Sequence, residues 1–365
     1  FLKENFSLYF KIVSIILFLD SFSFRLLVIH RMEDHPFKYL SFILLNVIVS
    51  ILANFYLIIH LKWGVEGALY STFLGSLSIF LLSIPFLYRK IYLYSFSLTT
   101  LKKLLIFGLP FLPAVIFQMI IDFSDRAFLM QFMDLESVGL YSSSYKIASV
   151  LLFLISGFRL GWEPFFLKLK TNKSKIISTV SNFFLFLLIS ILLFLILFIE
   201  PIIINSNKIL PISIIGPSFW SSLQIIPIIM FGYLFLALYY LQMPAIFYYN
   251  KTSYLPLFRF AGAFSNIFLN LFLIPKWGLY GAAIATSLSF AIMVIPMFIY
   301  TNSLFKIKYN WIFISLYLLY ALLIFCYSIF YTISTMLSIF FFSFGLFLLV
   351  YQTKKTREIL INHIS

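Results

Sequence analysis

The sequence predicts an all-α protein that crosses a membrane many times, and three observations carry that expectation. Of 365 residues, 62% are hydrophobic and 10% charged, where a soluble domain carries roughly 25% charge. The apolar residues gather into runs long enough to span a bilayer, which takes about 20 residues of helix, and short loops between them hold most of the charge. A thirteen-residue stretch also occurs twice, at 62–74 and 276–288, with seven identities: Lys62/Lys276, Trp63/Trp277, Gly64/Gly278, Gly67/Gly281, Ala68/Ala282, Thr72/Thr286 and Leu74/Leu288.

In chain order the expected spans are 6–29, 40–61, 66–88, 106–131, 138–165, 176–200, 219–248, 254–274, 277–300, 309–330 and 333–352, eleven in all. The span at 106 opens on Gly108-Leu-Pro110-Phe-Leu-Pro113 and the span at 219 contains Pro227 and Pro244. Each Pro removes a helix donor, so both spans are expected to bend.

In each copy of the repeat, small residues recur at steps of three and four: Gly64, Gly67, Ala68, Ser71 and Gly75, then Gly278, Gly281, Ala282, Ala285 and Ser289. That spacing places them on one helix face, and a small-residue face lets two membrane helices approach closely. From the span at 66 to the span at 277 the chain advances six helices, an even step that preserves orientation. The repeat is therefore read as parallel, with 1–90 as the last three helices of a first bundle, 101–300 as a complete six-helix bundle, 301–352 as two extra spans and 353–365 as a tail. At the spacing of 214 between copies, the partner of the first three helices of 101–300 falls before Phe1. We therefore expect about a hundred residues, three helices, to precede this chain in a fourteen-span protein.

Sixteen of the 26 basic residues lie in the loops 30–38, 89–103, 166–175, 249–253, 301–308 and 353–365; four (Lys3, Lys62, Lys208 and Lys276) lie in the others. By the positive-inside rule the first set, with the C-terminus, faces the cytoplasm. The net charge of +14 is then mainly topological, with membrane headgroups as its partners and no nucleic-acid role. A single cysteine, Cys326, excludes a disulfide framework or a cysteine metal site. His30, His35, His60 and His363 stand in no metal-ligand spacing, and we expect no metal, no cofactor and no catalytic residue.

Charged groups inside a bilayer are costly and face a bundle interior or a cavity. Gln118, Asp122, Asp125 and Arg126 share a face of the span 106–131, with Asp122 and Arg126 placed to pair. Tyr145, Ser149, Ser156, Arg159 and Glu163 form a stripe on 138–165, with Lys146 beside it. Lys11, Ser14, Ser21 and Arg25 recur on one face of 6–29, and Arg259, Asn266 and Asn270 on one side of 254–274. Within the spans, six basic residues (Lys11, Arg25, Arg126, Lys146, Arg159, Arg259) stand against four acidic ones (Asp20, Asp122, Asp125, Glu163). A cationic interior suits an anionic passenger such as a pyrophosphate-linked lipid. The candidate substrate-binding residues are Arg126, Lys146, Arg159, Arg25, Tyr145 and Gln118, and the candidate ion-coupling carboxylates are Asp122 and Asp125. Lys11, Arg25 and Arg259, near span ends, are placed to snorkel.

Three stretches resemble a known family: Phe107-Gly-Leu-Pro-Phe-Leu-Pro113 followed by Asp125-Arg126; Val138-Gly-Leu-Tyr-Ser-Ser-Ser-Tyr-Lys-Ile-Ala148 leading to Trp162-Glu-Pro-Phe165; and Asn266 to Asn270 leading into Ile274-Pro-Lys-Trp-Gly-Leu-Tyr-Gly-Ala-Ala-Ile-Ala-Thr286. In order and spacing the chain resembles the polysaccharide, or O-antigen-type, flippases of the multidrug/oligosaccharidyl-lipid/polysaccharide exporter superfamily, and aligns with their fourth to fourteenth helices. The resemblance implies a MATE-like fold of two six-helix bundles around a V-shaped cavity, in a bacterial cytoplasmic (inner) membrane. It implies that an undecaprenyl-pyrophosphate-linked oligosaccharide is moved to the outer leaflet by alternating access, coupled to H+ or Na+, for O-antigen, capsule or teichoic-type polysaccharide. Polymerases or glycosyltransferases of the same pathway would be partners. A lipid II flippase differs only in the sugar. A small-molecule cation or drug antiporter on the same fold would favour acidic residues in its interior. A membrane glycosyltransferase or polymerase would place catalytic residues on a large external loop, and the largest here, 201–218, holds no carboxylate.

Overall fold

A computed structural model describes residues 6–33, 35–90, 97–209, 215–331, 334, 336–347 and 350. The tail at 353–365 and the ends of the span expected at 333–352 lie outside the described residues. Within them the chain is helices and turns with no strand, as lipid requires of a segment that must satisfy its own backbone. The helices form two compact units, divided between Leu98 and Thr99.

The first unit holds α1 (Phe6–Met32), α2 (Pro36–Asn54) and α3 (Gly64–Lys90). The last turn of α2 widens into a π-helical turn at Phe55–His60. The chain reverses through Lys62-Trp63-Gly64, where Lys62 and Gly64 both have left-handed φ, 56° each. The expected small face of α3 is the packed one: Gly67, Ser71 and Gly75 are buried. A Cβ on Gly75 would stand 2.1 Å from Ser50 Oγ of α2, so glycine is what permits this approach.

The second unit runs through α4 (Leu98–Gly108), α5 (Phe111–Phe132), α6 (Leu135–Lys168), α7 (Lys173–Ile209), α8 (Ile226–Leu241), α9 (Met243–Tyr248), α10 (Leu255–Leu304), α11 (Trp311–Phe330) and α12 (Met336–Phe347). α4 and α5 make one apolar segment, Leu98–Phe132, interrupted at the Leu109-Pro110 step where a bend was expected. Several boundaries differ from the sequence reading, with Arg31, Lys38, Arg89, Lys90, Lys168, Lys173 and Lys175 of the expected basic loops lying in helix ends. Lys102 and Lys103, assigned to a basic loop, lie in α4. The external loop expected from 201 is helical to Ile209, with Asn205 Nδ2 donating to the Pro201 carbonyl at 2.9 Å. α6 opens on Asp134, whose carboxylate accepts from Ser137 N at 2.7 Å. That bond holds the Asp134 carboxyl below its ordinary range and satisfies one orphan donor of the first turn.

Gly278 divides α10 into two spans. Its φ of 53° and ψ of −128° are non-helical, so residues 255–274 and 279–304 form separate arms. Including both arms, ten apolar segments of the described residues are long enough to cross a membrane, and the shorter α12 falls within the expected eleventh. The core of the second unit lies among α5, α6, α7, α8 and α10, around Tyr141, Leu151, Ile155, Phe166, Tyr233 and Phe290. The extended chain after α10 is fastened to α7: Asn182 accepts from Asn310 N at 2.7 Å and donates to the Lys308 carbonyl at 2.8 Å. Ser178 accepts from Lys308 N at 2.8 Å. These bonds hold α11 against α7.

The arms of α10 meet at Gly281, where a Cβ would stand 2.3 Å from the Leu273 carbonyl oxygen. Backbone is a neighbour that does not yield. We expect Gly281→Ala to lower stability by about 1–3 kcal/mol and to depress the thermal unfolding midpoint in detergent. Gly157→Ala, where a Cβ meets open space, should be neutral or stabilising by up to ~1 kcal/mol.

Candidate functional site

The second unit gathers its polar residues around one carboxylate. Asp125 of α5 is fully buried, 0% exposed. Tyr141 of α6 donates to its Oδ2 at 2.6 Å, and so does Thr286 from the second arm of α10, also at 2.6 Å. Asn270 Nδ2, from the first arm, donates to Oδ1 at 2.9 Å, with Asn266 Nδ2 at 3.4 Å. Asn270 also donates to Asn266 Oδ1 at 3.0 Å, and Ser124 donates to the same oxygen. A buried carboxylate is tolerated only when donors replace its water, and here three helices supply them.

This site is built from residues of a particular kind. The Asn266–Asn270 step of four sets both amides on one face of the first arm. Gly278 then returns the chain so that Thr286 meets the same acid. Asn270 Oδ1 is buried without a donor, so the cluster keeps one unfilled oxygen. Among the described residues no three His, Cys, Asp or Glu side chains converge. The cluster holds one carboxylate among neutral oxygens, a hard-donor set whose charge matches a monovalent cation or a proton.

The other expected site residues lie close by in part. Asp122 accepts from Gln118 Nε2 at 2.8 Å. The expected Asp122–Arg126 side-chain pair is not the one formed: Arg126 Nη1 donates instead to the Asp122 carbonyl at 2.5 Å. Its guanidinium lies 4.5 Å from the Tyr145 ring centroid and 5.8 Å from that of Tyr141. Arg126 thus bridges the face of α5 to α6 through aromatic rings. Tyr145 packs edge-on against Tyr233 of α8 at 6.1 Å. Lys146 is exposed and lines an open cavity of about 490 Å³ with Ser143, Ile147, Ile215, Gly216 and Phe219. Arg159 and Glu163 stand 4.0 Å apart, and Arg159 Nη1 donates to Tyr240 Oη at 3.2 Å. Arg25 belongs to the first unit, where it is exposed and sits 5.7 Å from the Phe22 ring.

Sequence reasoning placed Asp125 but missed most of its partners. Tyr141 stood inside a quoted motif and Thr286 inside the repeat, without a role for either. Arg259, expected to snorkel, is buried instead, covered by Tyr239.

No family model matches the chain, and no curated protein does. Two solved structures share its fold. A MATE point mutant matches with a TM-score of 0.62 at 17% identity, covering 81% of this chain and 68% of its own. The lipid II flippase MurJ, in its inward closed conformation, matches with a TM-score of 0.55 at 17% identity, covering 90% of this chain and 70% of its own. The protein is a multi-pass membrane protein with a MATE-like fold.

Thr286→Val should remove a donor from a buried charge and lower stability by about 1.5–3 kcal/mol. Ser149→Ala, whose hydroxyl serves only its own helix by bonding the Lys146 carbonyl at 2.5 Å, should change it by less than about 0.5 kcal/mol. Thermal unfolding of the two variants side by side checks this.

Proposed function

We propose that the protein is a flippase that moves a polyprenyl-pyrophosphate-linked oligosaccharide across the bacterial cytoplasmic membrane, for O-antigen, capsule or teichoic-type polysaccharide. The mechanism is alternating access driven by H+ or Na+. What carries the reading is the unequal exposure of charge in the second unit. Its deepest carboxylate, Asp125, is fully buried, while Lys146 is exposed and the Arg159 side chain is 43% exposed. The most exposed charges inside these spans, Lys146 and Arg159, are cationic, which suits a diphosphate better than a cationic drug. The fold shared with a lipid II flippase agrees with a lipid-borne passenger, and supports lipid II itself as the second reading. With the basic loops inside, the C-terminus is cytoplasmic, and polymerases or glycosyltransferases of the same pathway are the expected partners.

Arg126, Lys146 and Arg159 contribute to passenger binding in this mechanism, Lys146 and Arg159 by direct contact and Arg126 from its place over Tyr145. Gln118 and Tyr145 complete the polar face of the second unit, and Arg25 is the candidate passenger-binding cation of the first. Asp125, surrounded by Asn266, Asn270 and Thr286, holds the coupling ion. Asp122 acts beside it, three residues earlier on the same side of α5. Exchange of the ion for the hydrogen bonds now made to Asp125 would loosen one arm of α10 from α5, linking ion occupancy to helix position.

Replacing Arg126, Lys146 and Arg159 together with Ala should reduce glycan export in a flippase-deficient strain at least tenfold at equal protein level. Wild-type export would rule out the cationic site, and drug efflux independent of glycan would favour the antiporter. Asp125→Asn should leave residual export that no longer responds to collapse of the proton or sodium gradient. A response equal to that of the wild type would remove Asp125 from coupling.

A further inference from the structure

Just before α8 the chain forms a 3₁₀ helix of nine residues, Pro217–Ile225. Runs of this kind longer than three or four residues are uncommon, and they mark hinges. The sequence at its end explains it. Pro227 has no N–H, so the α-helical bond back to the Leu223 carbonyl is missing, and Ile226 N takes that carbonyl in the 3₁₀ pattern. At the start, Phe219 N closes a turn on the Gly216 carbonyl at 2.9 Å. Trp220 Nε1 donates to the Ile215 carbonyl at 3.3 Å. The segment is thus tied to itself and parted from α8 at Pro227.

Two contacts hold it in place. Ser144 of α6, fully buried, donates to the Ser222 carbonyl at 2.7 Å, with the Ser222 hydroxyl at the same distance. Tyr280, on the second arm of α10, donates to Gln224 Oε1 at 2.6 Å in an exposed position. Water readily replaces an exposed bond, so the Tyr280 contact is the first to open. Tyr280 also sets the second copy of the repeat apart, since the first copy has Glu66 at that position. Ile215, Gly216 and Phe219 form one wall of the cavity of about 490 Å³, and Ser143, Lys146 and Ile147 of α6 form the other. A cavity of this size holds a small ligand; a diphosphate carrying several sugars needs a wider one.

We propose that the Pro217–Ile225 segment is a movable wall, hinged at Pro227 and latched by the Gln224–Tyr280 bond, that swings from α6 to widen this cavity. The closed wall rests on bare backbone: a Cβ on Gly139 of α6 would stand 3.8 Å from the Phe219 ring. Opening therefore separates a ring from a glycine, with no large side chain to unlock. The wall and its latch stand on the 3₁₀ geometry and the two contacts. That the widened cavity admits a lipid-borne glycan rests on the proposed function.

The test is the rate at which a bulky maleimide labels a cysteine in the cavity of the purified full chain. The parent carries Cys326→Ser and Ser143→Cys. Tyr280→Phe and Gln224→Ala, both at exposed positions, should each raise the labelling rate at least threefold. Ser218→Ala, on the same segment but outside both contacts, should keep the parent rate. Pro227→Ala restores the missing donor and continues α8 through the hinge, so added to Tyr280→Phe it should return the rate towards that of the parent. The parent rate in both latch variants overturns the movable wall, and so does an equal rise in Ser218→Ala. Polyprenyl diphosphate should slow labelling where polyprenol of equal length does not. Latch-dependent labelling without that protection keeps the wall and discards the lipid-borne passenger. Protection without latch dependence discards the wall and leaves the proposed function standing.

Discussion

The Asp125 carboxylate sets the terms for the second unit. An ionised oxygen pair sealed among apolar helices is costly unless donors replace the lost water, and Tyr141, Thr286, Asn270 and Asn266 do so from three helices. To deliver them, α5 and both arms of α10 must come close, and α5 packs more extensively on α10 than on any other element. The approach is narrow. A Cβ on Gly262 would stand 2.9 Å from Met293 Cβ and 3.0 Å from Ile121 Cδ1. The small residues of α10 are thus a steric condition of the hydrogen-bond cluster. Their burial and the acid's satisfaction are one constraint seen from two sides.

What could be read from the sequence was what depends on local chemistry. Span length, the small faces of α3 and α10 and the Pro110 bend follow from residue type and spacing, and each is present. What could not be read depends on which face meets which. Spacing of four offered Asp122 to Arg126, but a guanidinium beside an aromatic-rich helix had another choice. It took the Asp122 carbonyl and the Tyr145 ring. In a chain with 48 Phe and 23 Tyr, no pattern marks the one ring that will face a given cation. Arg259 illustrates the same limit. Its position near a span end suggested escape to the interface, yet Tyr239, contributed by α8, closes over it. That cover comes from 20 positions earlier in the chain and leaves no local signal.

The repeated Lys-Trp-Gly stretch gains a sharper meaning from Asp125. In both copies the glycine is left-handed, Gly64 at φ 56° and Gly278 at φ 53°, and in both the threonine five positions after the second glycine bonds back to the alanine carbonyl four residues earlier: Thr72 to Ala68 at 3.0 Å, Thr286 to Ala282 at 3.1 Å. The backbone device is common to the two units. The chemistry is not, because Thr72 is exposed while Thr286 is buried against Asp125. The duplicated element therefore supplies a way of turning one span tightly onto the next. Only in the second unit does that turn carry a hydroxyl to a buried acid, and the polar residues that make the turn functional, Asn266 and Asn270, precede Gly278 on the arm it folds back. A scaffold repeated for packing has been used once for charge, so substitution at the turn should be structural in the first unit and both structural and functional in the second.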